Sequence, residues 1–181
     1  REMTAADSGT PLEQGAMRMF AHTPEISKGL TAFAGSLKQN RSLPDRLVEL
    51  VRLRVAFHNQ CRSCMAIRYK DGQEDGITED LVCSLEKPME ADNLSDAEKA
   101  AIQYGELFAT NHLAINDAIY DNLRKYFNES EIVELSMTVA FFVGFGRLAA
   151  SYHMVEELPE SFQADEKETL TPWGNDSIIV R

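Results

Sequence analysis

The chain has 181 residues, 44% hydrophobic and 26% charged, enough for one domain with a real core and close to an ordinary globular composition. A formal net charge of −11 argues against nucleic acid and against an anionic membrane as primary partners, because both repel an acidic surface. No uninterrupted apolar run approaches the ~20 residues that span a bilayer; the longest, Val139 to Val143, stops at Gly144.

Helical signals fill the chain. Thr10-Pro11-Leu12-Glu13 reads as an N-cap, a first-turn proline and an acidic start, and predicts a helix to about His22. Thr23-Pro24-Glu25 repeats that start, with Ile26, Leu30, Phe33, Ala34 and Leu37 following at helical spacing. Ser42-Leu43-Pro44-Asp45 opens a third helix, whose apolar stripe runs through Leu47, Leu50, Val51 and Leu53 to Val55. A break at His58-Asn59-Gln60, with Asn59 as a cap, releases a short helix that carries Cys61 and Cys64 and ends at Asp71-Gly72. Thr78-Glu79-Asp80 caps another short helix through Leu85, and the polar stretch 86–93 with Pro88 reads as a connection. Ser95-Asp96-Ala97-Glu98 is a capping box for a helix ending near Asn111-His112. Asn116-Asp117 starts the next, and Asn128-Glu129-Ser130-Glu131 starts the last, which reaches about Met154.

The expected fold is all-α, a single domain of seven to eight helices. Strand pattern is confined to Ser177 to Val180. Residues 1–11 form an N-terminal extension, 12–157 the helical domain, and 158–181 an acidic tail that packs on the domain or on a neighbouring subunit. One weak echo links Val48-Glu49-Leu50 and Val55-Ala56-Phe57 to Val133-Glu134-Leu135 and Val139-Ala140-Phe141, as a duplicated helical unit would.

The chemistry centres on Cys61-Arg62-Ser63-Cys64. In a helix, positions i and i+3 face one side, so the sulfurs can form a disulfide or act as attacking and resolving thiols. A thiol attacks only as thiolate, and three neighbours could favour that form: a helix start, Arg62 between the cysteines, and Arg68 one turn after Cys64. A solvated surface is the better reading for Arg62. Glu49 lies twelve residues before Cys61, ~18 Å away on a straight helix. It can approach the sulfurs only across a bend near His58-Asn59, and Arg46, Arg52 and Arg54 stand ready to pair with it. His58 is a candidate base or metal ligand, but His112 and His153 are isolated and no four-ligand zinc set emerges; no metal and no cofactor are expected. Cys83, on a stripe with Leu81, Val82 and Leu85, reads as a buried small hydrophobe. Three cysteines are too few for a disulfide framework, so a reducing cytoplasm is the expected compartment.

Glu49, the twelve-residue gap, Cys61-x-x-Cys64 and the block from Ile132-Val133-Glu134-Leu135 to Arg147-Leu148-Ala149 resemble the carboxymuconolactone decarboxylase and alkyl hydroperoxidase D superfamily, over residues 12–157. The resemblance implies an all-α fold with internal duplication and a homo-oligomer: a trimer, dimer or hexamer. For the hydroperoxidase branch it implies Cys64 as attacking thiol, Cys61 as resolving thiol and Glu49 as relay acid. It also implies a hydroperoxide or other small-molecule substrate and a dithiol reductant. That branch has a histidine where this chain has Arg68, which cannot give up a proton at neutral pH but can stabilise a thiolate or bind an anion. His58 or water must then replace it.

The expected function is therefore hydroperoxide reduction by a peroxiredoxin-like thiol oxidoreductase. The alternative is a helical small-molecule-binding oligomer with a redox-switch or vestigial dithiol, its pocket lined by Phe141, Phe142, Phe145, Met65 and Tyr69. Core packing is the commoner use of such residues. A lactone decarboxylase, which needs no cysteine pair, ranks last.

Overall fold

The computed structural model describes residues 11–155, 158–163, 169–174 and 178–181, with 11–14 as backbone only. The Thr10 cap and residues 1–10 of the expected extension lie outside them. Helices α1 (Pro11–Phe20) and α2 (Pro24–Gln39) open the fold, each with its proline in the first turn. Helix α3 (Asp45–Asn59) follows, and it is buried on nearly every side. It buries Leu47, Val48, Leu50, Val51, Leu53, Val55 and Ala56, and Glu49 and Arg52 with them. It is the central helix, packed on α4 (Arg62–Ala66), α5 (Lys70–Glu74), α7 (Asp96–Thr110) and α9 (Glu129–Ser151). Leu50 and Leu53 are both 0% exposed, where truncation to alanine costs about 2–5 kcal/mol.

Two further helices, here α7 (Asp96–Thr110) and α9 (Glu129–Ser151), pack on α3. The predicted capping box of Ser95 with Glu98 forms, and the helix start read at Asn128 is a second one, Asn128 with Glu131. Gly105 allows α7 to come close, since an added Cβ would lie 3.0 Å from Val51. On α9, Ile132, Leu135, Thr138, Val139, Gly146 and Ala149 are buried. By length and composition α9 is also apolar enough to cross a membrane, which its longest uninterrupted apolar run does not suggest. Here one face of it packs on α3 and α7, and 33% of its most apolar stretch is buried. The Glu134 carboxylate accepts from the Ser42 and Leu43 amides, joining α9 to the turn that starts α3.

The largest departure from expectation lies after the cysteines. Helix α4 (Arg62–Ala66) stops early, and Ile67–Arg68 form an extended segment, β1, before α5 (Lys70–Glu74). Segment β1 pairs in parallel with β2 (Ile179–Val180), Ile67 opposite Ile179 and Arg68 opposite Val180. The predicted helix to Asp71-Gly72 is thus divided in two. With α6 (Glu79–Cys83) and α8 (Asp117–Leu123) the described residues contain nine α-helices. The tail packs on its own domain: Leu158, Phe162 and Trp173 are buried, and Gln60 bonds Leu170 through both ends of its side-chain amide.

Candidate active site

The chain reverses at Gln60, which has a left-handed backbone (φ 50°). That reversal brings the cysteine helix back against α3. Cys61 then caps α4, its sulfur accepting from the Cys64 amide at 3.4 Å with Ser63 Oγ 3.6 Å away. Cys61 and Cys64 are joined as a disulfide, Cα to Cα 5.2 Å. The two sulfurs are not equivalent. Cys61 is 0% exposed. Cys64 is half-buried and lines a cavity of about 420 Å³.

Arg52 organises the site. It is buried, and its Nε and Nη2 clasp both oxygens of Glu49 at 2.6 and 2.7 Å. Nη1 donates to the Cys64 carbonyl at 2.6 Å and Nη2 to the Ile67 carbonyl at 2.7 Å. These carbonyls sit where α4 ends and lack helical partners. Burial works against the guanidinium's charge, but the adjacent Glu49 carboxylate and its hydrogen bonds outweigh it, and the pKa of Arg52 is raised. Glu49 also accepts from the Tyr69 amide at 3.3 Å. It therefore reaches the cysteine segment through Arg52 and Tyr69, paired as expected but buried.

The other predicted site residues lie elsewhere. Arg68 is not one turn on from Cys64 in a continuous helix, because α4 has ended. It is 0% exposed and holds Glu79 with two bonds of 2.9 Å. It also donates to the carbonyls of Met65, Ile67 and Pro172. All five donors of a guanidinium are thereby committed, which leaves none for a substrate anion. His58 faces α7, its Nε2 3.6 Å from Glu106 and without a hydrogen bond among the described residues. It is not a wall residue of the Cys64 cavity. Together with Arg54, whose paired bonds are 3.0 and 3.1 Å, His58 holds the Glu106 carboxyl down at about 2. Arg62, expected on the surface, is buried. Cys83 is exposed, because Leu81, Val82 and Leu85 take the inner face of that turn. Among the described residues no group of three His, Cys, Asp or Glu could hold a metal.

Phe141, Phe142, Phe145 and Tyr69 line the Cys64 cavity as the pocket reading expected, while Met65 is core. Phe141 and Phe145 stack with centroids 5.4 Å apart. Asn59 supports this wall, donating to the Phe142 carbonyl at 3.0 Å and accepting from Arg147 at 3.1 Å. A second cavity of about 220 Å³ adjoins the first, sharing Ala34, Arg52, Tyr69, Phe141 and Phe142, and Glu49 faces it. The Glu49–Arg52 pair thus lies where the two meet. Arg52 is the residue that sequence reasoning underrated. Its signal was a charged pair at i, i+3 inside an apolar run.

Residues 24–107 match the carboxymuconolactone decarboxylase family. An uncharacterized protein of Mycobacterium tuberculosis is 29% identical over 121 residues, 65% of this chain and 42% of its own length. The chain spans less than half of that relative. An uncharacterized protein of Escherichia coli, YnjA, is 24% identical over 144 residues, 79% of this chain and 77% of its own. Among solved structures, an Agrobacterium tumefaciens protein of unknown function aligns with TM-score 0.64 at 20% identity, covering 78% of this chain and 95% of that one. A peroxidase-related protein with an AhpD core from Ralstonia eutropha gives 0.65 at 18%, covering 90% and 84%. A cysteine-to-alanine variant of the debrominase Bmp8, in complex with 2,3,4-tribromopyrrole, gives 0.67 at 13%, covering 90% of each chain. These likenesses are of fold.

Proposed function

We propose that this chain, whose residues 24–107 belong to the carboxymuconolactone decarboxylase family, is a thiol oxidoreductase that reduces hydroperoxides through a Cys61/Cys64 dithiol–disulfide cycle. The observation that carries the reading is the asymmetry of the pair: Cys64 on the cavity, Cys61 sealed beneath it. The Cys64 thiolate attacks the hydroperoxide, the O–O bond breaks, and Cys64 becomes a sulfenic acid while the alkoxide takes a proton and leaves as alcohol. The Cys61 thiolate then attacks the Cys64 sulfur, the disulfide forms, and the hydroxyl leaves as water. A dithiol attacks the accessible Cys64 sulfur, frees Cys61, and closes its own disulfide to restore the pair. The net reaction consumes one hydroperoxide and one dithiol and yields an alcohol, water and one disulfide. In this cycle Glu49 fixes Arg52, and Arg52 fixes the backbone that presents Cys64. An antioxidant role would follow from the reaction.

The test is hydroperoxide consumption with dithiothreitol as reductant. Cys64→Ser should abolish it, and Cys61→Ser should stall with a trappable sulfenic acid on Cys64. Turnover that survives Cys64→Ser would defeat the reading. A second reading is favoured by the phenylalanine wall and the fold shared with the debrominase. There a bromoaromatic takes the two electrons, giving the hydrogen-substituted ring, hydrogen bromide and the Cys61–Cys64 disulfide. Bromide release from a bromopyrrole, with no reaction toward hydroperoxides, would support it.

A further inference from the structure

The Cys61 sulfur has a demand on it that the cavity does not meet. It is 0% exposed and is not part of the cavity wall. Yet closing the disulfide needs Cys61 as a thiolate, and opening the disulfide at Cys64 releases it as one. Burial disfavours the charged form of a thiol, so a sealed thiolate needs hydrogen bonds. Among the described residues two groups supply them: the Cys64 amide at 3.4 Å and the Ser63 hydroxyl at 3.6 Å.

Ser63 reaches that sulfur because of the cap. Residues two apart on a helix do not face each other. Cys61, however, stands just outside α4 with an extended backbone (φ −80°, ψ 96°), and it turns its sulfur over the first turn, where Ser63 sits. Ser63 is itself buried, and it lines the cavity that Cys61 does not touch. The Cys61 sulfur is the one partner of its Oγ among the described residues. Buried hydroxyls ordinarily hold a good acceptor. A neutral sulfur is a weak acceptor, whereas hydrogen bonds to an ionised partner are about twice as strong. The Ser63 hydroxyl is therefore poorly matched in the oxidised protein and gains its full bond when Cys61 is charged.

We infer that Ser63 is a catalytic residue of the dithiol cycle: its hydroxyl donates to the Cys61 sulfur as the thiolate forms, and this makes a buried cysteine able to resolve and to leave. The inference rests on the reading that Cys61 is the resolving thiol. In the closing step Cys61 gives up its proton and attacks the Cys64 sulfur. The disulfide forms, and the group on Cys64 departs with that proton. In the opening step a thiolate attacks Cys64, the Cys61–Cys64 bond breaks, and its electron pair goes to Cys61. Ser63 stabilises the same charge in both directions.

Dithiodipyridine tests this without any hydroperoxide. Added to reduced Cys83→Ser protein in stopped flow, it releases one pyridinethione as Cys64 attacks it and a second as Cys61 closes the disulfide. The first release scales with reagent concentration, and the second does not. Ser63→Ala should leave the first unchanged, which also shows that the site is intact. It should slow the second about five- to tenfold, the loss of one hydrogen bond to a charged atom being partly offset by the greater nucleophilicity of a more basic thiolate. Opening of the oxidised variant by dithiothreitol should slow as well. Ser63→Thr keeps a hydroxyl and should restore both rates. An unchanged closing step in Ser63→Ala, equal slowing of both releases, an unchanged opening step, or a threonine variant as slow as the alanine one would overturn the inference. A chain with hydroxyl-dependent closing that ignores hydroperoxides keeps this inference and loses the hydroperoxide reading. One that turns over hydroperoxides with closing indifferent to Ser63 does the reverse.

Discussion

Arg52 is bonded directly to the backbone of Cys64, its Nη1 donating to the cysteine carbonyl at 2.6 Å, while its other donors clasp Glu49. One buried side chain therefore ties the acid of α3 to the end of the cysteine helix. Breaking a buried ion pair from one side costs about 3–5 kcal/mol, because the other charge is left uncompensated. Arg52→Met should fall in that range by urea unfolding, and Glu49→Met/Arg52→Met should be less destabilised than Arg52→Met alone. A double variant as unstable as the sum of the single ones would show that the pair is not coupled.

Arg68 should behave differently. Its donors go to Glu79 and to three carbonyls, one of them Pro172 in the tail. Arg68→Met is expected to lower the melting temperature but to leave the oxidation rate of Cys64 unchanged where the protein is folded. A collapse of that rate in a folded variant would assign Arg68 to the thiolate after all.

The burial difference between the cysteines predicts an order of modification. In reduced Cys83→Ser protein, which removes the exposed third thiol, iodoacetamide should label Cys64 well before Cys61. Peptide mass spectrometry over time reads this directly, and simultaneous labelling would contradict the sealed position of Cys61.

Glu106 predicts part of the acid response. Its carboxyl is held at about 2, below the ordinary 4.5, by His58 and Arg54. A depressed carboxylate stabilises the fold above its unfolded value and loses that contribution as pH falls from about 4.5 toward 2. Glu106→Gln should be less stable near neutrality and should lose less melting temperature on acidification than the parent. Parallel acid curves would rule this contribution out.

The helical architecture was legible because its signals are local. The capping boxes at Ser95 and Asn128, the prolines at 11 and 24, and the apolar stripe of α3 each act within a few residues. The end of α4 was not legible, since Met65-Ala66-Ile67-Arg68 holds no glycine or proline. What makes Ile67 and Arg68 extended is a partner strand at Ile179–Val180, a contact between distant parts of the chain. The role expected of Arg68 failed for that reason. The cysteine pair, the pairing of Glu49 with a nearby arginine and most of the phenylalanine wall were readable. Arg52 was visible only as a neighbour of Glu49, because a charged pair on a helix looks like a solvated face until packing encloses it. Cys83 was misplaced by one step around its turn.

The central claim is that Cys64 attacks and Cys61 resolves. Stopped-flow oxidation of the fully reduced protein by an organic hydroperoxide, with thiols counted before and after, tests it most directly. The account predicts rapid loss of two thiols per chain, abolished by Cys64→Ser. Oxidation no faster than that of free cysteine would contradict it.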